Sequence, residues 1–226
     1  MKSLAILTLL LPSIAAADNV DGGSEPSATW SFDIGSHIRW FGDTSAAVVT
    51  TDAMPGLRMT VGRSLTSTTV KRRELDIGLF GRYVYGAASG TMFGNLDTAL
   101  SQHLLGGGVR TDAPIFRWFS VVGQAELGMA RTSLRVEQDA MTPADDAHWS
   151  PYLAASLGGE LRLSEGKRVN VSLGVDVGYI VTVPTELHAL PGDRPDEELS
   201  IATTFAGLGK LDTRGMTYSM SLRGRF

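Results

Sequence analysis

Residues 169–180, VNVSLGVDVGYI, decide how this chain folds. Val169, Val171, Leu173, Val175, Val177 and Tyr179 make one set, and Asn170, Ser172, Gly174, Asp176, Gly178 and Ile180 the other. Successive side chains of a strand point to opposite faces, so this segment has one apolar and one largely polar side. The same parity recurs outward from it. Leu153 to Leu163 sets Leu153, Ala155, Leu157, Gly159, Leu161 and Leu163 against Ala154, Ser156, Gly158, Glu160 and Arg162. Trp30, Phe32, Ile34, Ile38 and Trp40 oppose Asp33, His37 and Arg39. Leu79, Tyr83 and Tyr85 oppose Asp76 and Arg82, and Leu127 and Met129 oppose Gln124 and Glu126.

Eight strands follow, at 29–41, 56–66, 74–86, 101–111, 117–135, 150–163, 168–181 and 212–226. The strand at 101–111 is glycine-rich (LLGGGVRT), so its register is weakly specified. Arg63 falls on the apolar face of the second strand, near its end, where an arginine can reach the interface. Most of these segments reach the roughly 9–11 residues of a tilted strand that crosses a bilayer. Ordinary globular strands are nearer five or six. The connections alternate: 67–73, 112–116 and 164–167 are short, whereas 42–55, 87–100, 136–149 and 182–211 are long. Short turns at one end and long loops at the other are what an outer-membrane barrel shows. The expected fold is therefore all-β, a closed antiparallel up-and-down transmembrane β-barrel of eight strands. Residues 199–205 (LSIATTF) read as a hairpin extending above the membrane, and ten is the alternative count if a further strand lies elsewhere. A secreted soluble β-sandwich is the competing architecture.

Composition agrees with this reading and excludes others. The chain has 226 residues, 26 of them Gly, and no Cys, which removes disulfide frameworks and thiolate chemistry. A mean hydropathy of +0.04 is too low for a bundle of membrane helices. A formal charge of −4 gives no basic field for nucleic acid. Residues 1–17 read as a cleaved secretory signal: Lys2, an apolar run from Leu4 to Leu11, then Ala15-Ala16-Ala17 before Asp18. Residues 18–28 read as a flexible periplasmic leader, and 29–226 as the barrel domain.

The ending Tyr218-Ser-Met-Ser-Leu-Arg-Gly-Arg-Phe226 resembles the C-terminal strand signal of bacterial outer-membrane proteins. Phe226 supplies the terminal aromatic, Leu222, Met220 and Tyr218 keep its parity, and Gly224 departs from it. The whole chain resembles the small eight-stranded barrels related to the membrane domain of OmpA and to OmpX. That resemblance implies an outer-membrane location, surrounding lipid, and handling by periplasmic chaperones and the barrel-insertion machinery. The chain is expected to be a monomer and to lack a periplasmic peptidoglycan-binding domain of the OmpA kind after Phe226.

The apolar face must meet hydrocarbon, and closure pairs every backbone group there. Trp30, Trp40, Tyr83, Tyr85, Trp118, Tyr179, Tyr218 and Phe226 fall near strand ends, as aromatic girdles do. The other face turns to the lumen with Asp33, Asp76, Glu126, Glu160 and Asp176, and with Arg39, Arg58, Arg82, Arg110, Arg162, Arg223 and Arg225. An eight-stranded barrel is just wide enough for side chains to fill it, so these charges are expected to form a salt-bridged core. A narrow solute channel with an arginine excess is the second reading. His37 is expected to hydrogen-bond in the lumen, and His103 and His188 to be solvated loop residues.

No catalytic residue, cofactor or metal site is assigned. His148-Trp149-Ser150 resembles the His-x-Ser of outer-membrane lipid A deacylases, with Glu160 as the acid that would complete a triad. In that family the catalytic groups face lipid, whereas His148, Ser150 and Glu160 share the lumen parity. The long connections would carry any recognition of an extracellular ligand, whose identity the sequence does not give.

Overall fold

The computed structural model describes residues 29–42, 45–50, 52–70, 73–92, 96–137, 144–165, 169–186 and 210–226. The expected signal over 1–17, the leader over 18–28, His188 and the segment 199–205 lie outside the described residues. In chain order the elements are β1 (Trp30–Trp40), α1 (Ser45–Val49), β2 (Ala53–Val70), β3 (Arg73–Met92), β4 (Leu96–Phe116) and β5 (Phe119–Glu137). Then come β6 (Ala144–Glu165), β7 (Asn170–Thr182), β8 (Thr185–Glu186), β9 (Lys210–Leu211) and β10 (Gly215–Arg225). Eight of these strands make one antiparallel ring in the order β1-β10-β7-β6-β5-β4-β3-β2, closed by β1 on β2. β8 and β9 pair only with each other, so the alternative count of ten does not apply to the ring.

The registers between neighbouring strands fix their slope. Starting at Trp30 and stepping from partner to partner, the path runs through Arg63, Leu79, Val109, Ala125, Ala155, Tyr179 and Met216. It re-enters β1 at Trp40, ten residues beyond its start. Ten residue steps cover about 34 Å along the strand, while eight strand spacings cover about 38 Å across it. The strands therefore tilt by about 40°, as closure of a small barrel requires. Every residue on that path points outward, so one parity holds around the whole circuit.

The strands are longer than the parity of apolar outward residues suggests. β3 runs to Met92 and β4 starts at Leu96, so most of the expected loop 87–100 is a β-ladder. The expected loop 136–149 is likewise shortened, with β5 ending at Glu137 and β6 starting at Ala144. The reason is a reversal of pattern. In these upper hairpins the inward residues are apolar (Ala88, Leu100, Leu134), and Ser89 and Arg135 are exposed outside. A search for apolar outward residues ends where that reversal begins. His103 thereby moves from an expected loop onto the outer face of β4, between Tyr83 (2.8 Å to its hydroxyl) and the ring of Tyr85.

The glycine run of β4 makes room rather than a loop. A Cβ at Gly106 would strike the Tyr152 hydroxyl and come within 2.9 Å of Glu126 Oε1. A Cβ at Gly128 would come within 2.8 Å of the Tyr152 ring. The two bare positions admit a tyrosine into an already crowded lumen.

Large apolar side chains cover the outer face: Phe32, Ile34, Ile38, Met59, Val61, Leu79, Leu105, Leu127, Leu153, Leu157, Val175, Val177 and Leu222 are all exposed. Exposed aromatics ring both ends. Trp30, Phe116, Trp118 and Phe226 stand at the end carrying the tight β2–β3 and β4–β5 connections, and Trp40, Tyr83, Tyr85, Tyr179 and Tyr218 at the other. Arg63, the one cation of this face read from the sequence, stacks over Trp30 at 5.5 Å.

Candidate functional site

The inward parity builds the interior in layers, beginning at the end with the long connections. α1 and β9 fold over this opening. Phe41, Ala46, Met54, Leu100, Leu134 and Leu211 make an apolar cap there, joined by Ala47, Ala88 and Val136. The cap is tied down by Ser45, whose hydroxyl donates to the Lys210 carbonyl (3.0 Å) and accepts from the Asp212 amide (2.7 Å).

Beneath the cap lies a neutral polar layer around one guanidinium. Arg39 is fully buried and donates to Gln102 Oε1 and to the Thr213 carbonyl at 3.3 Å. Gln102 donates in turn to Thr132 (2.8 Å) and Thr213 (3.2 Å). An apolar constriction follows, made of Val84, Leu104, Ala130, Tyr152 and Ile180. It is capped below by polar groups, because the Tyr152 hydroxyl donates to Glu126.

Two ion pairs cross the middle. Arg58 grips Asp176 with Nη1 at 2.7 and 3.0 Å and reaches the Ser221 hydroxyl with Nη2 at 2.9 Å. Arg82 donates to Glu126 at 2.7 Å and to Gln124, with its Nε 3.3 Å from the Thr60 hydroxyl. His37 Nδ1 lies 3.0 Å from the Ser219 hydroxyl. The remaining free volume here is about 30 Å³, which admits only water-sized species.

At the other end the charges interlock. Glu160 accepts from Arg110, from Arg223 and Arg225 (3.0 Å each), and from the Ser172 hydroxyl (2.5 Å). Arg223 also holds Asp33 at 2.6 Å, and Arg225 reaches Asp112 at 3.3 Å. Asp76 and Asp112 face each other across β3 and β4, an arrangement that repels unless cations intervene. Arg110 supplies one, 2.7 Å from Asp112. This layer forms the floor of a vestibule of about 340 Å³ that opens past Thr29 and Ser67.

Of the residues singled out from sequence, Asp33, Arg39, Arg58, Glu126, Glu160, Asp176 and Arg223 stand buried in these layers. Arg82 and Arg225 are part-buried, and Asp76 lines the vestibule. Arg162 lines a small polar pocket with Glu160, Ser172 and Arg225, exposed at the rim beside the register shift between Arg162 and Ser164. The bulge ends the regular inward alternation at that point. Tyr218, Met220 and Leu222 are exposed on the outer face, and the Phe226 amide donates to the Trp30 carbonyl at 3.0 Å. Asp112 falls in the expected connection 112–116, and Gln102 in the glycine-rich strand 101–111 whose register the sequence specifies weakly, so neither is singled out from the sequence. Continuing the β4 parity by one step below Arg110, and by one step above Leu104, finds them.

His148, Ser150 and Glu160 do not assemble. Ten residues of continuous β6 separate Ser150 from Glu160, about 34 Å along the strand. Glu160 is held by three arginines at one end, and His148 Nε2 lies 2.9 Å from Asp146 at the other. Among the described residues no cluster of three or more potential metal ligands occurs.

No protein-family model matches the chain, and no curated protein matches it. Among solved structures, Ail, the attachment invasion locus protein of Yersinia pestis, solved with the heparin analogue sucrose octasulfate, is 13% identical at a TM-score of 0.50, covering 89% of this chain and all of that one (100%). A second structure of Ail gives 13% identity and a TM-score of 0.48 over 89% of this chain and 100% of Ail. Neisserial surface protein A gives 12% identity and 0.47, covering 88% and 98% of the two chains. At this identity the first likeness shows a shared fold and not a shared ligand.

Proposed function

We propose that this chain is a closed up-and-down barrel of the bacterial outer membrane, non-conducting and non-enzymatic, that presents its upper hairpins at the cell surface. The observation that carries this reading is the pairing of a filled interior with an apolar exterior. Outside, the apolar belt between the two aromatic rings measures about 25 Å, from ten residue steps at the strand tilt. That matches the apolar band of outer-membrane barrels. Inside, the apolar cap, the constriction around Tyr152 and the crossed ion pairs leave room only for water-sized species in the middle.

The surface role rests on the hairpins. β3 continues seven residues past Tyr85 to Met92, about 24 Å along the strand beyond the aromatic ring. β5 and β6 rise beside it to Glu137 and Ala144. A stalk of this length stands clear of the membrane and offers its tip to partners, as loops on rigid scaffolds do. The likeness to an attachment protein supports the fold on which such a role is built; the partner of this chain is set by its own hairpin tips.

The absence of cysteine makes the test simple. Ser89→Cys and Arg117→Cys are introduced singly, and intact cells are treated with a membrane-impermeant maleimide. Ser89→Cys should label on whole cells, and Arg117→Cys only after the envelope is opened. Labelling of Arg117→Cys but not of Ser89→Cys on whole cells would invert the orientation. Recovery of the protein in the soluble fraction without detergent would sink the membrane reading.

A further inference from the structure

The middle of the lumen carries one more positive charge than its carboxylates answer. Asp176 is taken by Arg58, and Glu126 by Arg82 and Tyr152. Arg39, just above them, has no carboxylate within ion-pair distance among the described residues; it donates to an amide oxygen and a carbonyl. An uncompensated buried guanidinium is expensive, so a counter-charge is called for. The acid-rich layer around Asp33, Asp112 and Glu160 is engaged by Arg110, Arg223 and Arg225; Asp33 keeps one buried oxygen, Oδ1, without a hydrogen bond, but none of these carboxylates forms an ion pair with Arg39.

The same region presents buried donors with nothing to donate to. Arg39 Nε and Nη2, Arg58 Nε and His37 Nε2 are all buried without a hydrogen-bond partner. If Nδ1 of His37 accepts from the Ser219 hydroxyl, the neutral ring carries its proton on Nε2 and donates there. His37 and Arg58 both line the cavity of about 30 Å³, together with Arg82, Thr217 and Ser219. They are 6% and 2% exposed. Two of the four unanswered groups, His37 Nε2 and Arg58 Nε, belong to residues that line this small cavity, and Arg39 stands two positions from His37 on the same inward face of β1.

We infer that this mid-lumen cavity is a binding site for a single small monovalent anion of the halide class, held by His37 Nε2 and Arg58 Nε and favoured by the charge of Arg39. Glu126 and Asp176 also line the cavity, but each is already neutralised, so neither repels the ion with a free charge. Entry is from the vestibule. A gap of about 10 Å³ shares Arg58 and Asp176 with the anion cavity, and Arg110 and Arg223 with the vestibule. An ion moving inward thus passes from one arginine to the next. The inference concerns the interior alone and holds wherever the ring resides.

The experiment uses the refolded full chain in detergent. Thermal unfolding is followed at constant ionic strength while sodium gluconate is replaced by sodium chloride or bromide. Crystals soaked in bromide are measured at its absorption edge. The expected results are a saturable rise of the midpoint with either halide, and one anomalous peak within hydrogen-bond reach of His37 and Arg58. Arg39→Met and His37→Phe should each weaken the apparent halide affinity by about tenfold or more, the scale of a lost charge-assisted bond. Saturation separates binding from the unsaturable influence of salts on surfaces. A midpoint indifferent to anion identity, bromide confined to the outside of the ring, or an undiminished halide response in Arg39→Met would overturn the site. Should either variant fail to refold, the bromide map of the parent protein decides by itself.

Discussion

The two halves of the lumen solve the same problem differently. In the layer next to the vestibule, Glu160 binds three arginines at once, and each of these also reaches a second acid: Arg223 bonds Asp33, and Arg225 and Arg110 bond Asp112. Under the cap, by contrast, Arg39 sits among amides and hydroxyls and beneath carbon. Near the vestibule, charge is buried because it is shared. Under the cap, the fold is held by apolar packing, and the single charge is a burden on it. The lesson is that a polar interior is not one kind of interior: removing a charge should harm one half and spare the other.

The largest effect is expected at Glu160. Glu160→Gln leaves Arg110, Arg223 and Arg225 short of a carboxylate and should cost about 3–5 kcal/mol, read by urea unfolding of the refolded protein. Next comes the cap: Leu100→Ala opens a cavity among Phe41, Met54 and Leu134 and should cost about 3 kcal/mol in the same assay. Equal losses at Leu100 and at an exposed outer leucine such as Leu157 would show that the cap is not a packed core. Tyr152→Phe removes one donor from Glu126, which keeps Arg82, and should cost about 1 kcal/mol. Arg39→Met is the sharpest contrast. In halide-free buffer it should change stability by no more than about 1 kcal/mol, or raise it, because an unpaired buried charge is exchanged for carbon. A loss at Arg39 as large as that at Glu160 would erase the distinction between the halves.

Much of this was legible in the residues and some was not. Parity alone assigns the outward set from Trp30 to Trp40 and from Met216 to Leu222, because lipid-type and lumen-type residues interleave one by one. That interleaving is also why the mean hydropathy is near zero while one face is almost wholly apolar. The upper hairpins were illegible for a physical reason: beyond the aromatic ring the outer face becomes polar and the inner face apolar, as Ala88, Leu100 and Leu134 show. The rule that finds the belt therefore misreads them as loops. Asp112 was missed by the same truncation at the other end of β4. The pairing of Arg39 with Gln102 depends on the slope of the ring, which brings β1 across from β4 and which no local pattern encodes.

The central claim is that these strands enclose a filled interior and not a passage. Conductance of the purified, refolded protein in a planar lipid bilayer tests it most directly, with Glu160→Gln measured alongside to show the effect of loosening the layer that closes the vestibule. The account predicts a silent bilayer for the parent protein across the usual range of voltages, with insertion verified by protease protection. Steady, reproducible openings of uniform size from the parent protein would contradict it.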